Sequence, residues 1–294
     1  EEQMAFRDEV LQEVHLNIFA FGNYTDSEIL AIANQLEDHL PETRQASPIY
    51  LERTTSIASG ESFSWQEDVG MTDVAIVDSY FLPVSDRRMA ASEVLENLVH
   101  PDFFHQLRTE QQLGYVVGFY TSPGHQQLSM GYYVQSPAKG LSDIGDLIAQ
   151  FQEAFRLKLA ETSTEEFSGL KTSLLNTLQQ SPKNLAAEAQ YVVTDWSRQR
   201  LDFNSRQRLI KALEDLNLED VKALYGQMAA GTDASRILLQ MRGTTFQGES
   251  FAGGNGAVSI DDIDSFKRAR VVSQLKHKGG GGALTSLSNR TQAD

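Results

Sequence analysis

The stretch LRTEQQLGYVV, Leu107 to Val117, joins two different residue patterns. Upstream, Ala91, Leu95, Leu98 and Val99 fall on one face of a helical run from Asp86 to His100. Pro101 allows a fresh turn, and FFHQLRTEQQL then reads as a second helix that Gly114 ends. Downstream, YVVGFYTS and QQLSMGYYVQS are rich in β-branched and aromatic residues and read as two strands joined through PGH. In the second, Leu128, Met130, Tyr132 and Val134 alternate onto one face. Long helices beside hairpins predict an α+β layer fold, not a doubly wound one.

The same pattern reading extends to both sides. SFSWQ and TDVAIVDSYFL are further strands. Earlier still, HLNIFAFGN (His15 to Asn23) alternates as a mostly buried strand, and GNYTDSE turns the chain. Thr25 and Glu28 have capping-box spacing, so each side chain can satisfy an orphan amide of a helix carrying Ile29, Ile32, Ala33, Leu36 and Leu40. Pro41 stops it, and residues 42–49 read as a linker. On the other side, Ile144, Leu147, Ile148, Phe151, Phe155 and Leu159 form an amphipathic stripe, as do Phe167, Leu170, Leu174 and Leu178 behind a second capping box, Ser163 and Glu166. PKNLAAEAQYVVTDW, SRQRLIKALEDL and LEDVKALYGQM are helical, and SRILLQMRG (Ser235 to Gly243) is the last strand. GGNG reads as a turn, DDID (Asp261 to Asp264) as a helix start, and FKRAR through KHK as a solvated basic face. The terminal KGGGGALTSLSNRTQAD is flexible by composition.

Bulk properties exclude several classes. The chain has 294 residues, 40% of them apolar, and a formal net charge of −15. That balance opposes a nucleic-acid surface, which needs Lys and Arg to neutralise phosphates. No run of about eighteen apolar residues is present to span a membrane. With no cysteine there is neither a disulfide nor a thiolate metal site. No phosphate loop, dinucleotide fingerprint, GxSxG, HExxH or HxxEH occurs. His100 and His105, five apart across a proline, are poorly spaced as ligands, so no metal site is expected in this chain. The opening EEQMAFRDEVLQEV lacks the basic start and apolar run of a signal peptide, and the chain reads as cut from something longer.

Arg108 and Tyr115 are the candidate site. One reading leaves Arg108 on the surface and Tyr115 half-buried in its strand. The other lets the break at Gly114 bring them together, so that the planar donors of an arginine and one phenol hydroxyl hold a peptide carbonyl or stabilise an oxyanion. Glu110 is placed to orient Arg108, and no catalytic base is visible beside the pair.

FFHQLRTEQQLGYVV resembles the signature near the C-terminal end of the pitrilysin/insulysin family of inverted-zincin metallopeptidases, close to L-R-T-x-E-Q-L-G-Y. Gln111 stands where the family usually shows Glu, while Arg108, Gln112, Leu113, Gly114 and Tyr115 are in place. GNYTDSEILAIANQLEDHL is similar to the family's strand-to-helix turn before its last repeat, YYVQS to a hairpin strand, and PKNLAAEAQYVVTDW with LDFNSRQRLIKALEDL to its paired C-terminal helices. The resemblance is nearest to bacterial, usually periplasmic, enzymes. It implies a two-layer sheet-and-helix repeat, with residues 1–45 ending the penultimate repeat, 46–244 forming the complete last one, and 245–294 a Gly-rich flexible extension. It also implies that this is the non-zinc C-terminal half of a peptide-degrading enzyme whose halves close around a chamber. Zinc and the catalytic base belong to HxxEH in the N-terminal half of the same polypeptide, the implied partner. In such an enzyme zinc-activated water attacks a peptide carbonyl. Tyr115 then stabilises the transition state, and Arg108 with Tyr115 binds substrate. This chain alone is expected to be inactive. The runner-up is a stand-alone scaffold or peptide-binding subunit of the same fold.

Overall fold

The computed structural model describes residues 2–12, 18–40, 53–124, 126–198, 200–230, 234–254, 256–270 and 272–274. The chain divides into two units: 1–53, 183–190 and 273–294 form one, and 54–182 with 191–272 the other.

The smaller unit holds α1 (Glu2–Gln12), where no helix was expected, and α2 (Asp26–Asp38). The capping box at Thr25 and Glu28 forms: Thr25 N–H donates to Glu28 Oε2 at 2.8 Å, and Glu28 N–H to Thr25 Oγ1 at 3.3 Å. The expected strand at 15–23 is corrected in its described part. Residues 18–23 are not extended into a ladder, and Ile18 is exposed. Ile18 and Ala20 are exposed and Phe19 and Phe21 only half-buried, so the segment is not the mostly buried strand expected. Residues 13–17 and the linker at 42–49 lie outside the described residues.

The larger unit is an α+β layer. Its six-stranded sheet runs β4 (Val116–Pro123), β5 (Gln127–Ser136), β3 (Val74–Pro83), β6 (Ser235–Arg242), β2 (Ser62–Asp68), β7 (Val258–Ser259). Neighbours are antiparallel from β4 to β6, while β2 lies parallel to both β6 and β7. Two three-residue strands, β1 (Arg53–Thr55) and β8 (Val272–Gln274), lie where the units divide. In β5 Leu128, Met130, Tyr132 and Val134 are all buried, facing one way as the alternation predicts. Register sets Ile76 opposite Val134, Asp78 opposite Tyr132 and Tyr80 opposite Met130. This face packs under α3 (Asp86–Phe104), α4 (Leu141–Glu161), α5 (Thr164–Gln179), α7 (Ser205–Glu214) and α8 (Leu218–Ala230), leaving α6 (Leu185–Ser197) less buried. The Ser163–Glu166 capping box forms as read.

Three expectations change. Pro101 does not restart the helix: α3 runs through it to Phe104. A proline inside a helix removes one backbone bond and costs about 3 kcal/mol. Val94, Leu95, Val99 and Phe103, all fully buried, hold the helix down on the sheet and outweigh that cost, and Pro101 itself faces solvent. The strand at 235–242 is not the last. The chain beyond it makes a 3-10 turn at Thr244–Phe246, then β7, then α9 (Ile263–Arg268), capped by Asp262 as the DDID reading requires. Finally, Arg270 belongs to no solvated basic face. It rests on the rings of Phe63 and Phe266, 4.1 and 4.3 Å from their centroids, and pairs with Glu61. The glycine-rich residues 275–294 lie outside the described residues.

One charged pair sits among the apolar strands. Asp78 is 2% exposed and accepts from Arg236 Nε at 2.6 Å, from Arg236 Nη2 at 3.0 Å and from the Tyr80 hydroxyl at 2.9 Å. Removing one partner strands a buried charge. Asp78→Ala is therefore expected to lower unfolding free energy by about 3–5 kcal/mol, measured by urea denaturation at neutral pH. A loss near zero would mean that the pair is solvated.

Candidate functional site

After Phe104 the helix widens into a π-helical turn, His105–Glu110. Gln111 N–H donates to Gln106 O at 3.0 Å, five residues back, and Leu113 N–H to Leu107 O at 3.1 Å, six back. Such single π turns are often found at functional sites. Two buried pegs, Leu107 and Leu113, both fully buried, fix the turn's ends. Between them the backbone reverses through Gln112, whose φ is 55°. That left-handed conformation costs a residue with a Cβ about 1–2 kcal/mol. Gly114 follows at φ 158°, where a Cβ would overlap the carbonyl oxygen of Gln135 on β5. Only glycine lets the chain enter β4 at that distance from β5.

This handover brings Arg108 and Tyr115 together. The guanidinium carbon lies 5.4 Å from the Tyr115 ring centroid and 4.7 Å from that of Phe104. Contacts of that kind are worth about 0.5–1 kcal/mol at exposed sites. Among the described residues no carboxylate or carbonyl takes a hydrogen bond from Arg108, so its planar donors remain unspent. Tyr115 is 87% exposed, so the half-buried reading fails and its hydroxyl faces solvent. Glu110 does not orient Arg108. The π turn stacks residues five apart, and Glu110 Oε1 meets His105 Nε2 at 3.3 Å instead. Two rings, not a carboxylate, hold the guanidinium.

Phe104 is the member of this group that sequence reading missed, although its position four residues before Arg108 on a helix was a visible signal. His100 has a different task. Its Nδ1 lies 3.0 Å from Phe119 O and 3.3 Å from Phe119 N on β4, the edge strand, and so covers backbone that would otherwise be unpaired. Glu96 accepts from Thr121 on the same strand. Among the described residues no group of three or more His, Cys, Asp or Glu could hold a metal ion. The arrangement offers two kinds of hydrogen-bond donor, one charged and one neutral, over an open surface. It can take an acceptor such as a peptide carbonyl.

Residues 94–193, which include both side chains, match a family described as PQQ synthase PqqF-like, C-terminal lobe domain 4. The chain corresponds to the C-terminal part of a pitrilysin-family metallopeptidase. It is 26% identical over 280 residues to Protease 3 of Salmonella typhi, covering 94% of this chain and 29% of that protein. In fold it is similar to pitrilysin, with a TM-score of 0.77 and 22% identity over 87% of this chain and 27% of that one. A more distant likeness is to the periplasmic protease PqqL of Escherichia coli, with a TM-score of 0.53 and 14% identity over 90% of this chain and 30% of that one. The chain thus spans less than a third of the length of these relatives.

The pitrilysin-type lobe owes its handover to the strained turn, which makes two opposite substitutions informative. Gly114→Ala is expected to lose about 2–4 kcal/mol of stability, read by chemical denaturation, because the new methyl displaces β4 from β5. Gln112→Gly is expected to gain up to about 1 kcal/mol. Equal, small effects at both positions would show that neither conformation is enforced.

Proposed function

We propose that this chain is the non-zinc half of a zinc metalloendopeptidase that degrades peptides inside a closed chamber. Arg108 and Tyr115 are its contribution to the reaction. The supporting observation is the unspent Arg108 guanidinium, held between the Phe104 and Tyr115 rings beside an exposed phenol. In this reading the Tyr115 hydroxyl donates to the scissile carbonyl oxygen, where negative charge develops during attack. A preorganised donor at that position is worth about 2.7–4 kcal/mol in a closed, dry site. Arg108 donates to neighbouring backbone carbonyls and holds the peptide in line. Phe104 fixes the guanidinium plane from beneath.

Zinc and the base that activates water are assigned, by the family resemblance, to the half that carries HxxEH. No step of that chemistry is assigned to residues of this chain. The reading puts the assembled enzyme in the periplasm, in keeping with the likeness to PqqL. Within this scheme residues 1–45 close the penultimate repeat, 46–244 are the last repeat, and 245–294 are an extension of it.

The proposal is tested by mixing the purified chain with the HxxEH half and following cleavage of a fluorogenic peptide. Neither half alone should cut, and the mixture should. Tyr115→Phe in the mixture should lower kcat by about 10²–10³-fold with little change in KM. Arg108→Ala should raise KM as well. Chelator-sensitive cleavage by this chain alone would refute the division of labour. A mixture that binds tightly yet never cuts would favour a non-catalytic, peptide-binding subunit.

A further inference from the structure

α3 reaches the candidate site through a row of side chains. His100, Phe104 and Arg108 are spaced four residues apart, so they share one face of α3 and of the π turn that extends it. Each meets the next. The His100 and Phe104 rings are stacked, with centroids 6.0 Å apart and an interplanar angle of 25°, within the range of favourable ring pairs. The Arg108 guanidinium carbon is 4.7 Å from the Phe104 centroid and 5.4 Å from that of Tyr115.

The far end of the row is tied to the strand that Tyr115 leads into. His100 Nδ1 lies 3.0 Å from Phe119 O and 3.3 Å from Phe119 N, so the backbone of β4 holds the imidazole. The ring also has a seat there. A Cβ at Gly118 would come within 2.9 Å of His100 Cε1 and 2.3 Å of the Tyr133 hydroxyl. Glycine inside a strand often marks such a close approach. The contacts therefore close on themselves. They run from His100 through Phe104 and Arg108 to Tyr115, then four residues along the chain to Phe119, and back to His100. In a closed ring of contacts each member limits the others. Phe104 is only half-buried, so the core does not fix its ring plane, and among the described residues no carboxylate bonds Arg108. Glu96 joins α3 to the same strand through Thr121, but it has no ring and takes no part in the stacking.

We propose that His100 is a positioning residue: seated on β4 and stacked on Phe104, it fixes the guanidinium plane of Arg108 and hence its place beside the Tyr115 hydroxyl. The effect on cleavage rests on the peptidase reading, whereas the geometry is read on this chain alone.

NMR of the purified 294-residue chain reads that geometry. In the wild type, nuclear Overhauser contacts are expected between the His100 and Phe104 rings and from Phe104 to the Arg108 side chain. A wild type without them overturns the proposal whatever the variants do. His100→Gln keeps a donor and an acceptor for Phe119 but removes the ring. It should leave the melting temperature in place, while the Arg108 Nε–H and Tyr115 ring signals lose their ring-current displacement. Thr121→Val is the control, since it cuts the Glu96 tie and leaves the row intact, so those signals should stay where they are. Unmoved signals in His100→Gln, or equal movement in Thr121→Val, overturn the proposal. In the mixture with the HxxEH half, His100→Gln should lower kcat/KM at least about tenfold, mainly through KM. The double variant with Arg108→Ala should be no slower than Arg108→Ala alone. A normal KM for His100→Gln in a cutting mixture also overturns it. A wild-type mixture that does not cut defeats the peptidase reading instead, and the NMR signals then decide this one.

Discussion

No side chain fits at position 114. The carbonyl of Gln135 occupies the space a Cβ would need, and that close approach lets β4 lie against β5 immediately after a helix ends. The consequences reach in both directions. Upstream, the helix has to finish with its last turn widened and Gln112 in a left-handed conformation. Downstream, Tyr115, just before β4, is turned out to solvent while Val117 and Phe119 turn into the core. The arginine on the widened turn and the phenol on the residue before β4 then meet without a hydrogen bond between them. Their proximity follows from the backbone alone.

What holds that junction in place is ordinary packing. Leu107 and Leu113 are fully buried on either side of the turn, and the α3 stripe of Val94, Leu95, Val99 and Phe103 anchors the helix over β4 and β5. This burial offsets two local penalties, a proline inside α3 and a left-handed glutamine. Strain of this kind is often found at functional sites, although a second left-handed residue, Phe203 at φ 48°, lies away from this one. The sheet carries a second polar feature, the Asp78–Arg236–Tyr80 network on the helix-covered face. Buried charges of this kind are not efficient stabilisers compared with apolar packing.

Much of the fold was legible from periodicity. The β5 stripe, the α4 and α5 faces and both capping boxes stand as read, because each depends on residues a few positions apart. The misreadings share a cause. Pro101 is a helix breaker by local propensity, and only contacts from distant strands keep α3 continuous. The segment at 18–23 alternates like a strand, but alternation alone does not decide how deeply a segment is buried. Arg270 looked like one charge in a basic run, and its stacking on Phe63, far away in sequence, was invisible. For the candidate site, the types of Arg108 and Tyr115 and the break at Gly114 were visible, while the role given to Glu110 was not sustained. Its pairing with His105 depends on a π turn, which no simple residue pattern announces.

Sequence by itself determined most of the helical and extended segments, which of their faces are apolar, that a glycine interrupts the chain between Arg108 and Tyr115, and the motif that resembles the pitrilysin family. These are properties of neighbours along the chain, fixed by spacing and by the φ that each residue tolerates. Tertiary structure decided that the guanidinium lies between two rings and that the phenol is open to solvent. Those outcomes depend on the strand order and on which backbone atoms approach one another, and a linear pattern does not contain them.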